Sequence, residues 1–319
     1  MKVTPVVKLP DRKLNLYAKL EFSNPNGSTK DRSAFWILQQ AIERGDVTED
    51  TTIVESSSGN FAIAMAAFSH ALGLAFIPVI DRNCNAPTED YLRAMCTRVE
   101  KITEPDESGG YLGGRLARVR QIRDELPRAY WPNQYENGDS VAAYYRLTGD
   151  ELCRALDRID YVFVGVSTGG TIAGLSLRVK EAFPFATVVA VDSEGSAIFG
   201  GPAQQRRIPG LGSSIVPPLC SRAQIDDVVI VPERDAVAGC HELHQRYGLY
   251  AGGSTGSVYA AIRRYFGAHP VGETRPTVVF LCADRGTAYA DTIYNAAWVD
   301  EYLPIDDGQV SCGVPAATG

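Results

Sequence analysis

Lys30 is the residue whose surroundings first suggest chemistry in this sequence. It lies in NPNGSTKDR (24–32), directly before SAFWILQQAIERG, whose spacing predicts an amphipathic helix. The start of a helix carries partial positive charge, which favours the neutral form of an amine, and partial burial acts in the same direction. A neutral lysine can form an imine with a carbonyl compound such as pyridoxal phosphate. Taken alone, the pattern equally fits a solvated lysine beside Asp31 and Arg32.

Three further turns are rich in Gly, Ser and Thr, and each opens a predicted helix. They read ESSSGN (55–60), VSTGGT (166–171) and AGGSTGS (251–257). Ligands of open α/β sheets bind beyond the carboxyl ends of the strands, and backbone N–H groups at helix starts bind anions. One such turn alone is more often a tight turn or a helix cap. Three of them together favour a site for an anionic ligand.

The elements that must position these turns alternate along the chain. Short runs rich in Val, Ile and Phe predict buried strands at 51–56, 74–81, 161–167, 186–193, 227–233 and 277–284. Helical patterns lie near 31–44, 60–72, 87–96, 111–126, 139–157, 170–182, 234–247 and 255–267. This alternation predicts an α/β fold with two doubly wound, mostly parallel sheets.

Composition narrows the class of protein. A chain of 319 residues usually exceeds one hydrophobic core, which predicts two domains, and a net charge of -7 argues against nucleic-acid binding. Short, interrupted apolar runs predict no membrane span and no secretory signal. Seven scattered cysteines without CxxC spacing are typical of reduced thiols in the cytoplasm. HELH (241–244) offers two histidines without an evident third ligand, so we expect no metal site.

In order and spacing, NPNGSTKDR and the three turns resemble the pyridoxal phosphate (PLP)-dependent cysteine synthase and cystathionine β-synthase family along nearly the whole chain. The resemblance implies PLP fold type II, which is tryptophan synthase β-like, and a homodimer. It also implies an active site between two domains. Residues 22–140 would form a smaller, partly mobile substrate-binding domain, and residues 1–21 and 141–319 a larger domain that binds the PLP phosphate. Lys30 would carry the cofactor.

The resemblance also implies roles for the residues of the three turns. Asn60 would bind the 3′-oxygen of the cofactor. Ser254 would face its pyridine nitrogen, with Asp284 as the rival, because other members take this partner from the late strand. A hydroxyl there leaves the ring largely unprotonated and favours β-elimination over transamination. The substrate carboxylate would lie on Ser57, Ser58 and Gly59. The cofactor phosphate would lie on Thr168, Gly169, Gly170 and Thr171.

Four other stretches resemble one branch of the family, which joins O-phospho-L-serine to L-glutamate through an aminoacrylate intermediate and releases phosphate. They are EPDESGGYLGGR (104–115), AYWPNQYEN (129–137), DSEGSAIFG (192–200) and IPGLGSS (208–214). The product of that branch is a precursor of 2,3-diaminopropionate for siderophores and antibiotics. The resemblance implies that the substrates contact Arg115, Gln134, Tyr135 and Ser167. An arginine, a phenol and a hydroxyl are the donors expected around a phosphate leaving group; alternatively, Arg115 is a solvated helix arginine.

At two motifs the sequence departs from this branch, which weakens the transfer of individual residue roles from the branch to this chain. Its STTGS motif reads STGGT here, and its DRGDRY motif reads DRGTAY, with Ala288 in place of an arginine. Glutamate recognition has no local signature in the sequence. A cysteine synthase that uses O-phosphoserine or O-acetylserine with sulfide therefore stays an alternative, as does a catalytically silent binding protein of the same fold.

Overall fold

A computed structural model describes residues 1–105, 110–272 and 274–304. Within these ranges the strands are β1 (Val6–Leu9), β2 (Asn15–Lys19), β3 (Thr52–Ser56), β4 (Ala75–Asp81), β5 (Glu100–Ile102), β6 (Ala129–Tyr130), β7 (Tyr161–Gly165), β8 (Thr187–Ser193), β9 (Asp227–Val231) and β10 (Thr277–Leu281). The α-helices are α1 (Lys30–Arg44), α2 (Asn60–Ala71), α3 (Ala86–Met95), α4 (Leu112–Glu125), α5 (Gly138–Ala143), α6 (Asp150–Ala155), α7 (Gly170–Ala182), α8 (Glu233–Tyr247), α9 (Gly253–Ala268) and α10 (Ala296–Tyr302).

The strands form two sheets, which confirms the predicted α/β class. The larger sheet has the order β1-β2-β10-β7-β8-β9, and the smaller one β5-β4-β3-β6. Neighbouring strands are parallel throughout except for β1, which is antiparallel to β2. All six predicted strands are present, and the division of the chain into domains at residues 22 and 140 stays a prediction.

The apolar side chains of each sheet are covered on both faces by helices. On the larger sheet, Phe163 and Phe280 pack with Tyr259 of α9 in one core cluster. The opposite face of the same strands packs against α7 in a second cluster. Because both faces are buried, the strands need the continuous apolar runs seen in the sequence. No helix among the described residues has the length and apolarity needed to cross a bilayer.

The helix predicted over 139–157 is wrong as a single element. The structure has α5, then a π-helical segment at Tyr144–Gly149, then α6. A π-helix has more residues per turn than an α-helix. At the start of this segment, the Tyr144 hydroxyl donates a hydrogen bond to the carbonyl oxygen of Thr29 at 3.0 Å. Gly149 closes the segment, and an added Cβ there would lie 2.8 Å from the Cβ of Arg178.

A buried ion cluster ties the beginning of α1 to the larger sheet. Two guanidinium nitrogens of Arg32 each donate to a carboxylate oxygen of Glu151 at 2.7 Å, and the Arg32 Nε donates to Glu21 at 3.1 Å. The Nζ of Lys19 donates to Glu151 at 2.5 Å and to the carbonyl oxygen of Thr4 at 2.7 Å. Burial disfavours the charge of Glu151, but the bonds from Arg32 and Lys19 outweigh it and lower the pKa of Glu151.

We expect Glu151→Gln to lower the free energy of unfolding by about 3 kcal/mol, because it leaves the two buried cations Lys19 and Arg32 with only one carboxylate, Glu21. Urea denaturation followed by circular dichroism measures this change. The control is Arg154→Gln, since the side chain of Arg154 is 82% exposed and pairs with Asp150 at 3.6 Å. We expect the control to change stability by less than about 0.5 kcal/mol. Equal small effects of both changes would show that the cluster contributes little.

Candidate active site

Four helices begin at one cleft between the two sheets. Lys30 and Asn60 are the first residues of α1 and α2, Gly170 is the first residue of α7, and Ser254 is the second residue of α9. The cleft has about 670 Å³ of free space, part of it open to solvent. Among the predicted residues, those that line it are Lys30, Asn60, Ser167, Thr168, Gly169, Thr171, Ser254 and its rival Asp284. Because helix starts carry unpaired N–H groups and positive potential, this cleft suits an anion.

The loop before Lys30 is held by its own polar side chains. The Asp31 carboxylate accepts hydrogen bonds from the backbone N–H of Asn26 at 2.9 Å and from its side-chain amide at 2.7 Å. The N–H of Thr29 donates to the carbonyl oxygen of Ala283 at 2.7 Å, which joins the loop to the end of β10. Lys30 is half-buried in this position. The amide-rich sequence before Lys30 therefore builds a rigid loop, and the lysine follows it directly.

The Gly-rich turn before α7 leaves no room for side chains. Gly169 has a φ of 89°, in the left-handed region, and an added Cβ would lie 2.7 Å from the backbone nitrogen of Cys220. At Gly170, a Cβ would lie 2.3 Å from the Oγ of Ser140. Position 169 therefore requires glycine, and a side chain at position 170 would displace the Ser140 hydroxyl. The backbone of the turn stays open toward the cleft, as a phosphate-binding loop needs.

Asp284 is hydrogen bonded to two side chains at the rear of the cleft. Its Oδ2 accepts from the Nδ2 of Asn60 at 2.7 Å and from the hydroxyl of Tyr289 at 2.8 Å. Its Oδ1 has no hydrogen-bond partner and lies against the start of α9, where a Cβ on Gly252 would be 2.1 Å away. Burial raises the pKa of Asp284, although Tyr289, Asn60 and the charge of Lys30 partly offset this effect. Asp284 thus orients the amide of Asn60.

A second group of predicted residues surrounds the Ser-rich turn. The hydroxyl oxygen of Ser58 accepts from the backbone N–H of Asp81 at 2.9 Å and from the guanidinium of Arg115 at 3.3 Å. Because both contacts use lone pairs, the Ser58 proton stays free to donate. The Nε of Arg115 lies 3.1 Å from the Asp81 carboxylate, and the Arg115 side chain is only 12% exposed. Arg115 is therefore not a solvated helix arginine.

Gln134 and Tyr135 belong to the same group. The side-chain amide of Gln134 donates to the carbonyl oxygen of Ser56 at 3.1 Å and so supports the turn. Burial raises the pKa of the Tyr135 phenol, an effect that nearby Arg115 partly offsets. The phenol therefore keeps its proton at neutral pH and can donate a hydrogen bond.

The remaining predicted residues have local partners. The Ser57 hydroxyl accepts from the N–H of Ala62 at 3.2 Å in the first turn of α2. The Ser167 hydroxyl donates to the carbonyl oxygen of Gly212 at 3.2 Å, so it must rotate before it can donate elsewhere. Arg115 and Tyr135 follow strands of the smaller sheet, whereas Ser167 follows β7 of the larger one.

Three residues around the site escaped the sequence analysis. Glu55 is fully buried beneath the Ser-rich turn, Asp81 pairs with Arg115, and Tyr289 donates to Asp284. The two carboxylates end predicted strands, and a carboxylate at the carboxyl end of a buried strand is a signal that could have marked them. Tyr289 lies in an irregular segment, and its sequence carries no comparable signal.

Comparison with known proteins identifies the class to which this fold and cleft belong. A family model of pyridoxal-phosphate dependent enzymes matches residues 1–283. The chain is 42% identical over 302 residues to N-(2-amino-2-carboxyethyl)-L-glutamate synthase of Ralstonia nicotianae, a match that covers 93% of this chain and 88% of that protein. The chain therefore belongs to the family of pyridoxal-phosphate-dependent enzymes.

Solved structures agree with this assignment. The O-acetylserine-dependent cystathionine β-synthase from Helicobacter pylori superposes with a TM-score of 0.82 at 28% identity, covering 91% of this chain and 94% of that chain. O-Ureido-L-serine synthase superposes with a TM-score of 0.83 at 26% identity, covering 96% of this chain and 94% of that chain. The predicted resemblance to cysteine synthase-like enzymes of PLP fold type II is confirmed.

The residues of the cleft fit PLP. Lys30 and the glycine turn before α7 both line the cleft. Asn60 lines it too, and its amide keeps a second N–H after its bond to Asp284 that can be donated to a ring oxygen. These groups match the three that PLP carries on one ring. The lysine suits the aldehyde, the amide suits the phenolic oxygen, and the glycine turn suits the phosphate.

Proposed function

We propose that this enzyme joins O-phospho-L-serine to L-glutamate and forms N-(2-amino-2-carboxyethyl)-L-glutamate and inorganic phosphate. The bond from Cβ to the phosphate oxygen breaks, and a bond from the glutamate nitrogen to Cβ forms, with loss of one proton from that nitrogen. The observation that carries the proposal is the buried guanidinium of Arg115 beside Ser58 and Tyr135. The relative from Ralstonia nicotianae, which bears the name of this reaction, supports it.

Lys30 has two tasks in this proposal. Bound PLP supplies an aldehyde that takes up an amine and a ring that withdraws electrons from the substrate Cα. Lys30 anchors the cofactor and, once replaced by the substrate, its amine removes the Cα proton and later returns it. The rigid loop joined to the end of β10 holds the lysine at one place for both steps. Thr168, Gly169, Gly170 and Thr171 would hold the phosphate of the cofactor.

The ring nitrogen of the cofactor is assigned to Ser254 and not to Asp284. The Oδ2 of Asp284 is already shared by Asn60 and Tyr289, and its Oδ1 is directed at Gly252. Ser254 and Asp284 are both buried and both line the cleft, so the partners already held by Asp284 decide the proposal in favour of Ser254. A hydroxyl partner leaves the ring nitrogen unprotonated, which favours elimination at Cβ. Asp284 then acts through Asn60, whose second N–H binds the ring oxygen.

The substrate lies between the Ser-rich turn and Arg115. Ser57, Ser58 and Gly59 bind its carboxylate, to which Ser58 can donate the free proton of its hydroxyl. The leaving phosphate accepts from Arg115 and Tyr135, and from Ser167 after its hydroxyl turns away from Gly212. Gln134 supports the turn through its bond to Ser56.

Closure of the smaller domain, residues 22–140, over the larger domain would bring these groups together and exclude water.

We further propose that the enzyme is a homodimer and that it acts in the cytoplasm. The six described cysteines are free thiols, as a reducing compartment requires, and Cys312 lies outside the described residues.

The reaction is tested by mixing the PLP-loaded enzyme with O-phospho-L-serine and L-glutamate and following products by mass spectrometry. We expect the amino-acid adduct and an equal amount of phosphate. Parallel reactions contain sulfide in place of glutamate, or O-acetyl-L-serine in place of the phosphate ester. Product with sulfide but none with glutamate would contradict the proposal and identify a cysteine synthase.

Arg115→Gln tests how the phosphate ester is recognised. A hydrogen bond to a charged group contributes about 1.5–3 kcal/mol, so we expect the affinity for O-phospho-L-serine to fall about 10- to 100-fold. The uncharged ester of O-acetyl-L-serine should lose less than about threefold. Both affinities are measured from the change in cofactor absorbance as each ester is added. Arg120→Gln, at an exposed position of the same helix, is the control and should change neither affinity. Equal losses for both esters would place Arg115 outside the phosphate subsite.

A further inference from the structure

Glu55 is a buried carboxylate beneath the substrate turn, and the reaction proposed above gives it no task. It is the penultimate residue of β3 and is completely inaccessible to solvent. Its Oε1 accepts from the N–H of Ser56 at 2.7 Å and from the indole N–H of Trp131 at 3.2 Å. Its Oε2 accepts a longer bond, at 3.3 Å, from the N–H of Gln134. Glu55 therefore joins the Ser-rich turn to the segment that carries Tyr135.

The charges around Glu55 do not balance. The groups that face it are Arg115 from α4 and Tyr135 from the segment after β6. Across Arg115, the Asp81 carboxylate from β4 is paired with the guanidinium at 3.1 Å. Tyr135 is neutral at pH 7 because its pKa is raised. With both carboxylates ionised, one guanidinium faces two negative charges even before a substrate phosphate arrives.

A phosphate dianion placed on Arg115 would worsen this imbalance in a region with little water. Burial already raises the pKa of Glu55 to about 7, in spite of the bonds from Trp131, Ser56 and Gln134 and the charge of Arg115. Additional negative charge nearby acts in the same direction as burial. The Oε2 atom has room for a proton, since its hydrogen bond from Gln134 is long and a lone pair stays available.

We propose that Glu55 takes up a proton from solvent when a phosphate group binds beside Arg115 and releases it when the phosphate leaves. Glu55 thereby makes the affinity for a phosphate-bearing substrate depend on pH without touching that substrate. The proton exchanges with water, and no covalent bond of the substrate is involved. The inference rests on the proposed phosphate subsite but does not depend on glutamate being the second substrate.

The direction in which anion affinity changes with pH follows from this arrangement. Anion binding is strongest when Glu55 is protonated, so affinity falls as the pH rises through the pKa of Glu55. A single linked proton limits this fall to tenfold per pH unit. In Glu55→Gln the side chain is permanently neutral and still accepts from Trp131 through its amide oxygen. Its anion affinity should therefore stay constant over the same pH range.

Inorganic sulfate is a suitable probe, because it carries a fixed double charge at neutral pH and the cofactor occupies the other anion site. Calorimetric titration of the PLP-loaded enzyme in Hepes and in Tris, whose ionisation enthalpies differ, gives the number of protons bound with each sulfate. At pH 7 to 8 we expect wild type to take up about half a proton or more, and Glu55→Gln to take up none. Glu125→Gln, at an exposed position of α4, should behave as wild type. Arg115→Gln should weaken the binding about 10- to 100-fold.

Trp131→Phe provides a second variant if Glu55→Gln does not fold. It removes a donor that stabilises the charged carboxylate, so proton uptake should persist to higher pH than in wild type. Sulfate binding without proton uptake in wild type would overturn the inference and leave the phosphate subsite intact. Unchanged uptake in Glu55→Gln would assign the proton to another group and also overturn it. Absence of sulfate binding would contradict both the inference and the phosphate subsite.

Discussion

The position of Lys30 depends on the buried ion cluster of Lys19, Glu21, Arg32 and Glu151. Arg32 lies two residues after Lys30 and uses both sides of its guanidinium, one toward Glu151 and the other toward Glu21. Removing such charges from water costs several kcal/mol per ion, so the cluster is stable only when every partner is in place. That requirement makes the geometry specific. It fixes the first turn of α1 against the end of β2, which is the neighbour of β10 in the larger sheet.

From the first turn of α1, contacts lead to the other residues of the site along two routes. Toward the larger sheet, the loop before Lys30 bonds to the end of β10, where Asp284 orients Asn60. Toward the smaller sheet, α2 begins at Asn60, directly after the turn that contacts Arg115 through Ser58. The chain as a whole has a net charge of -7, so it attracts anions only where helix starts and a buried guanidinium oppose that charge. Helix starts provide these conditions at the cleft, and Arg115 provides them beside the Ser-rich turn; the proposal assigns one place to each phosphate.

Much of the fold was predictable because buried parallel strands need continuous apolar runs. The strands that escaped prediction lack such runs. β1 and β2 contain Lys8 and Lys19, and β5 and β6 have only three and two residues. The π-helical segment was missed because its sequence keeps the periodicity of an α-helix. The tertiary hydrogen bond from Tyr144 to Thr29 marks where the backbone departs from an α-helix.

In the site, the glycine turn could be recognised locally because its geometry restricts the residue types that fit, whereas Lys30 was distinguished from a solvated lysine only by the resemblance. Glu55 and Asp81 carried only the signal of a carboxylate near the end of a buried strand, because their partners Trp131, Gln134 and Arg115 lie far away in sequence. Tyr289 lies in an irregular segment without such a signal. Tyr135 and Arg115 are intermediate cases. A resemblance suggested them, but only the packing of α4 on the smaller sheet brings the guanidinium to Ser58.

The central claim is that Lys30, and no other lysine, carries the cofactor. Reduction of the PLP-loaded enzyme with borohydride makes the link between lysine and cofactor permanent, and peptide mapping by mass spectrometry then locates it. The account predicts the pyridoxyl label on the peptide that contains Lys30 and complete loss of labelling in Lys30→Ala. A label on another lysine, or a label that survives in Lys30→Ala, would contradict it.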